Sequence, residues 1–133
     1  MPRQEVARVA LGTIRTVNGL AALLTPRKML RRLGVEAETH GAAIYALRMF
    51  GIRTIILGIE LLVAKGDRRD EALRTAVPIH ASDTVSAFIA GVHRDLPRRA
   101  AVLATVISSI NTGLAFLARD RNQAGELAGA DRA

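Results

Sequence analysis

The stretch that decides the fold is AAVLATVISSINTGLAFLA, residues 100–118, which contains no charged residue. Arg98 and Arg99 precede it, and Arg119 follows it. A helix rises about 1.5 Å per residue, so this length suits a hydrocarbon core of about 30 Å. The polar residues of the stretch are too few to form a solvated helix face; they are Thr105, Ser108, Ser109, Asn111 and Thr112. The stretch therefore predicts a membrane-spanning helix.

Three further apolar segments precede this stretch, at residues 6–24, 42–64 and 72–92. They are rich in Ala, Leu and Ile, and none shows a sustained period of two, so each predicts a helix. The breaks between them are short, which favours antiparallel neighbours. We therefore expect an all-α protein, an antiparallel up-down four-helix transmembrane bundle over residues 1–120. A polar tail at residues 121–133 is expected to be disordered.

Composition excludes several other classes of protein. The chain has 133 residues, enough for one domain, and 50% of them are hydrophobic, which argues against intrinsic disorder. It has no Cys, so disulfide scaffolds and thiolate metal sites are excluded. The formal net charge is +7 but only 3% of residues are aromatic, so stacking platforms for single-stranded nucleic acid are lacking.

A soluble helical bundle is the alternative interpretation of the same segments. The mean hydropathy is a modest +0.21. The chain has no Trp and one Tyr, so the aromatic belt common at membrane interfaces is missing. The uncharged length of residues 100–118 nevertheless favours the membrane interpretation.

Basic residues flank the apolar segments and predict an orientation. They are slightly more numerous on the side of the two termini, which places both termini in the cytoplasm and the chain in the inner (plasma) membrane as a multi-pass protein. The expected partners are membrane lipids and either further copies of the chain or a larger membrane complex. No nucleic-acid partner is expected, because the Arg clusters lie where membrane-flanking charges belong.

Each predicted span carries polar residues near its middle, beginning with Arg15, Arg53, Asp83 and Asn111. A charge at the bilayer centre costs at least about 2.5–3.5 kcal/mol, so these side chains should face inward and be paired. On a helical wheel, Arg15 shares one stripe with Arg8 and with glycines. The hypothetical intramembrane polar cluster consists of Arg15, Arg48, Arg53, Glu60, His80, Asp83 and Asn111.

The antiparallel arrangement predicts specific ion pairs within this cluster. We expect Arg8 to pair with Glu60 and Arg53 to pair with Asp83. Arg15 should share Asp83 or be capped by Asn111 and Ser108. The inward charges then leave one positive charge in excess. Either the buried groups only fix helix register, or the unmatched guanidinium binds an anionic group.

The spacing of His80 and Asp83 places an imidazole and a carboxylate on one helix turn, a geometry for acid–base chemistry. Ordinary pairing within the helix explains it equally well, so no catalytic residue is predicted. No group of residues has the spacing of metal ligands, and we expect neither a metal nor a cofactor.

Several short motifs resemble those of an uncharacterised family of small bacterial four-helix membrane proteins, a domain of unknown function. The motifs are Leu11-Gly12-x-x-Arg15, Asn18-Gly19-Leu20, Pro26-Arg27, Phe50-Gly51-Ile52-Arg53 and the helix with Asp83. The likeness covers most of residues 5–118. The chain also looks loosely like the DoxX-type four-helix membrane proteins. This resemblance implies the fold and the location, and no activity.

The sequence thus predicts a small integral membrane protein with a structural or accessory role, and no enzyme. The alternative is a protein that binds or transports an anion, a lipid or a small molecule at Arg15, Arg53 and Asp83. A membrane enzyme that uses His80 and Asp83 is a third hypothesis.

Overall fold

A computed structural model describes residues 2–36 and 41–119 of the chain. These residues form five helices: α1 (Arg3–Leu24), α2 (Pro26–Arg32), α3 (Gly41–Val63), α4 (Asp67–Val92) and α5 (Arg98–Ala118). Within the described ranges there is no β-strand. The prediction of an all-α protein is confirmed. The tail at residues 121–133 lies outside the described residues.

The four long helices correspond to the four apolar segments, with two differences. Helix α4 begins at Asp67, five residues before the predicted segment, because Asp67 and Asp70 in its first turn favour a helix N-terminus. The break after the first segment is itself helical. Pro26 is in the first turn of α2, where the backbone N–H that proline lacks would have no partner within the helix. The side chains of Pro26 and Leu30 are both buried.

Helices α1 and α3 pack antiparallel and very closely, because glycines face each other at two levels. A Cβ atom built on Gly19 would lie 2.7 Å from the carbonyl oxygen of Gly51. A Cβ atom built on Gly58 would lie 2.9 Å from the carbonyl oxygen of Gly12. Any larger residue at these positions must push the two helices apart.

Helices α4 and α5 form the second antiparallel pair. The hydroxyl groups of Thr84 and Thr112 lie 3.3 Å apart, and Gly91 faces Ala101 near the loop that joins the helices. The two pairs meet mainly where α1 packs against α5, whereas α3 and α4 touch over a short length. Helices α1 and α4 therefore lie diagonally opposite, and only long side chains can bridge them.

The described part of the molecule buries small and polar residues and exposes large apolar ones. Leu11 and Leu61 are the largest fully buried side chains, and most other buried hydrophobic residues are alanines. Large side chains exposed on all four long helices include Val17, Leu20, Ile52, Ile56, Phe88, Ile89, Val102, Val106, Ile110 and Phe116. Extensive exposed apolar surface is typical of sites that contact other proteins, ligands or membranes.

Of the described helices, α5 alone is long and apolar enough to be a candidate membrane span, with a mean hydropathy of 1.8. The other long helices carry charges within their length, among them Arg15 in α1, Arg53 and Glu60 in α3, and Asp83 in α4. A transmembrane bundle of four spans therefore stays a prediction.

Candidate functional site

Each of the four long helices contributes one buried polar side chain. These are Arg15 of α1, Thr54 of α3, His80 of α4 and Asn111 of α5, with exposed fractions of 3%, 5%, 3% and 8%. No other charged or polar side chain in the described residues is as deeply buried. All four residues line the same cavity, which opens to the surface beside the exposed side chains of Phe50 and Leu103. The interior of the molecule is thus polar at its centre.

The cavity has a volume of about 370 Å³ and extends from these polar residues toward the short helix α2. Met29 of α2 and Leu33 directly after it lie over the cavity, so the break between α1 and α3 contributes to its wall. The side walls are largely apolar, with Phe50 from α3 and Leu103 and Ile107 from α5. The site therefore combines a polar group at the centre of the fold with an apolar approach, a combination typical of small-molecule pockets.

Arg15, His80 and Asp83 form a chain of polar contacts across the cavity. The Nη1 group of Arg15 donates a hydrogen bond to Nε2 of His80. A guanidinium can only donate, so Nε2 accepts and the imidazole is neutral with its proton on Nδ1. That nitrogen lies 3.9 Å from Oδ2 of Asp83. This chain joins the diagonal helices α1 and α4, whose backbones remain apart.

Two atoms in this cluster have no partner. Nε of Arg15 and Oδ1 of Asn111 are both buried and make no hydrogen bond within the described structure. The capping of Arg15 by Asn111 that the sequence predicted is therefore absent. An unpartnered buried donor or acceptor costs about 1–3 kcal/mol, and the cost is higher for a charged group.

Arg8 differs from the prediction, because it pairs with Glu5 rather than with Glu60. Its Nε and Nη2 groups both donate to the carboxylate of Glu5, the first at 3.1 Å. Its Nη1 group donates to the carbonyl oxygens of Leu61 and Leu62 in α3. The hydrogen bond between the side chains of Arg8 and Glu5 lowers the pKa of Glu5 below its usual value. Close packing of α1 on α3 brings carbonyl groups to Arg8 and leaves Glu60 to one side.

The prediction that Arg53 and Glu60 define the inward face of α3 was wrong, because the residue after each of them is the buried one. Gly51, Thr54, Gly58 and Leu61 are the buried residues of α3, so the glycine line faces the interior. Thr54 is buried, and Arg53 directly before it is rotated by about 100° around the helix axis. Arg53 is therefore exposed. The glycines of α3 face α1 because the two helices are too close there to accommodate a longer side chain.

The predicted pair of Arg53 and Asp83 is also absent from the described structure, because Asp83 instead neighbours His80. Arg53 still lies near enough to Arg15 and His80 to act on both electrostatically. Arg48 is exposed and does not line the cavity, while Glu60 is half-buried at a second, small gap that Arg15 also lines. The cluster at the cavity is thus Arg15, His80, Asp83 and Asn111.

Sequence reasoning missed the contributions of Thr54, Met29 and Leu33 to the site. Thr54 lies three residues after Gly51 and four before Gly58, a helical spacing that would have predicted its inward direction. The residues near α2 had no comparable signal, because their place over the cavity depends on how α2 folds back.

In the described residues no three Asp, Glu or His side chains converge on a point where they would hold a metal ion. No protein-family model, curated protein sequence or solved structure matches this chain. The resemblance to small four-helix membrane proteins and to the DoxX-type proteins accordingly stays a prediction.

Proposed function

We propose that this chain is a small integral membrane protein that binds a small molecule in the cavity lined by Arg15, His80, Asp83 and Asn111. The single observation that carries the proposal is the buried Arg15 at the end of an apolar cavity, with its Nε group unpartnered. A guanidinium in such surroundings is costly unless something else satisfies it. Arg15 lines the cavity, so a small molecule bound there lies next to it.

The surface of the molecule supports residence in a membrane. Large apolar side chains cover the outside of all four long helices, and the polar side chains with the least exposure lie inside. The four long helices have 22, 23, 26 and 21 residues, and about 20 residues are needed to span a bilayer. We propose that all four cross the inner membrane, with both termini in the cytoplasm.

Extraction of membranes with alkaline carbonate tests this part of the proposal. The full chain should stay in the membrane pellet and be released only by detergent, because its apolar exterior is unfavourable in water. Release of the full chain into the carbonate supernatant would contradict membrane residence.

A substitution that fills the cavity tests ligand binding. Ala104 lines the cavity, whereas Ile110 on the same helix is exposed and does not line it. Small molecules released from purified wild type, Ala104→Phe and Ile110→Phe should be compared by mass spectrometry. We expect a compound that wild type and Ile110→Phe retain and Ala104→Phe loses. The same compounds in all three preparations, or none in any, would contradict the proposal.

An accessory role in a membrane complex is a second candidate, favoured by a specific surface. An apolar groove of about 310 Å³ runs along the outside of α4 and α5 between Phe88, Val92, Val102 and Val106. In lipid, such grooves receive helices of a further copy or another subunit. Native mass spectrometry from detergent tests this role: a defined assembly supports it, and a monomer alone contradicts it.

A further inference from the structure

We infer that the molecule bound in the cavity carries a carboxylate that docks side-on against the Nε and Nη2 groups of Arg15. Its apolar body then lies along the cavity toward α2. This inference rests on the proposed function, because it names the chemical class of the ligand for the same cavity.

The hydrogen bonding of Arg15 leaves one edge of its buried guanidinium open, in the sense that this edge has no hydrogen-bond partner. Nη1 is engaged with Nε2 of His80. Nε has no partner, and Nη2 makes no hydrogen bond to any residue that the structure describes. Nε and Nη2 present two parallel N–H groups on the same edge, and a planar carboxylate accepts both at once. The open edge therefore has the shape of a carboxylate site.

Arg8 shows that this chain fills such an edge where a carboxylate is within reach. Nε and Nη2 of Arg8 donate to the two carboxylate oxygens of Glu5, three residues earlier on the same helix. The corresponding position for Arg15 is Gly12. A Cβ atom built on Gly12 would lie 2.8 Å from Cγ of Leu62 and 3.0 Å from the carbonyl oxygen of Gly58. The close packing on α3 thus excludes an internal carboxylate there.

The charges at the cavity favour an anion. Among the described residues, Asp83 is the one carboxylate that lines the cavity; it lies beside Nδ1 of His80 and also acts electrostatically on Arg15. Arg15 and the nearby Arg53 are positive, and His80 is neutral in the hydrogen bond that it accepts. The guanidinium of Arg15, which lines the cavity, attracts a carboxylate and repels a cation.

The walls of the cavity indicate that the rest of the ligand is apolar. Met29, Leu33, Phe50, Leu103 and Ile107 line the space between Arg15 and α2. A carboxylate with no apolar part, such as acetate, leaves these side chains without contact and forgoes the free energy of burying them. The ligand class is therefore a carboxylic acid with a single apolar chain or ring.

Calorimetric titration of the detergent-purified full chain tests this class with three probes of equal chain length: octanoate, octanol and octylammonium. Each titration is corrected with a blank of detergent micelles alone. We expect octanoate to bind at least about tenfold more tightly than octanol, since one charge-assisted hydrogen bond contributes about that factor. Octylammonium should show no binding above the blank. Equal binding of octanoate and octanol would overturn the carboxylate inference.

Variants then locate the carboxylate. Arg15→Lys keeps the positive charge but loses the two parallel donors, so it should weaken octanoate binding about tenfold or more. Arg8→Lys, two helical turns away on the same helix and outside the cavity, should bind octanoate as wild type does. Equal weakening by both variants would overturn the assignment to Arg15. If Arg15→Lys fails to fold, the comparison of the three probes on wild type still decides the ligand class.

The outcomes separate this inference from the proposed function. Binding of octanol as tight as that of octanoate, lost in Ala104→Phe, would leave ligand binding standing and refute the carboxylate. Binding of none of the three probes, with a two-chain phospholipid retained at stoichiometric amount in Arg15-dependent fashion, would also refute it in favour of a lipid phosphate. Failure of Ala104→Phe to alter any bound compound would refute the cavity as a binding site altogether.

Discussion

Two arginines on the same face of α1 have opposite environments. Arg8 has its Nε and Nη2 groups on the carboxylate of Glu5 and its Nη1 group on carbonyl oxygens of α3. Arg15, two turns further along, is more deeply buried and has one described partner, the imidazole of His80. The better-buried arginine is thus the less satisfied one.

The contrast teaches why the fold leaves Arg15 open. Residues three before and four after Arg15 are Gly12 and Gly19, the positions from which a helix would supply a carboxylate. Both are glycines that hold α1 against α3. The tight contact between the two helices and the open edge of Arg15 are therefore consequences of the same residues.

The largest effect should come from an arginine introduced on the exposed surface of α5, where it has no hydrogen-bond partner. Ile110 is exposed on α5, next to the buried Asn111. In the proposed membrane orientation, Ile110→Arg places a charge in lipid at a cost of about 3 kcal/mol. We expect a large fall in the inserted fraction of the full chain in a membrane-insertion assay, with Ile110→Leu as the unaffected control. Full insertion of Ile110→Arg would contradict a lipid-facing α5.

A smaller effect should follow when Gly12, three residues before Arg15, is replaced by a larger residue. Gly12→Ala adds a Cβ atom against Leu62 and Gly58, and we expect a loss of stability of about 1–3 kcal/mol. Gly113 on α5 has open space around it, so Gly113→Ala should instead stabilise the helix by up to about 1 kcal/mol. Unfolding in detergent can be followed by far-ultraviolet circular dichroism. Equal effects of the two substitutions would show that α1 and α3 are not in close contact.

The smallest effect concerns the satisfied arginine. The hydrogen bond from Arg8 lowers the pKa of Glu5 below its ordinary value of about 4.5. A lowered pKa in the folded state means that Glu5 stabilises the fold at higher pH, and that this contribution disappears as the pH falls through the folded-state pKa. Glu5→Gln should therefore unfold at a slightly lower temperature than wild type near neutral pH. The difference should vanish in acid; a difference that persists there would contradict the pairing.

The sequence was sufficient for the helical class and for the direction of Arg15, because the wheel of α1 contains glycines, alanine and arginine on one stripe. It was insufficient for α3, where the face with Gly51 and Gly58, and not Arg53, lies inward. Hydrophobic periodicity cannot identify the inward face when the outside of the helix is also apolar. The contacts of Arg8, Met29 and Leu33 depend on how the helices meet, which no local pattern specifies.

Nuclear magnetic resonance of the guanidinium Nε–H groups during titration with octanoate is the most direct test of the open edge on Arg15. We expect the Nε–H resonance of Arg15 to move to a hydrogen-bonded position and saturate, while that of Arg8, already bonded to Glu5, stays in place. An unchanged Arg15 resonance at saturating octanoate, or equal movement of both, would contradict a carboxylate site in this cavity.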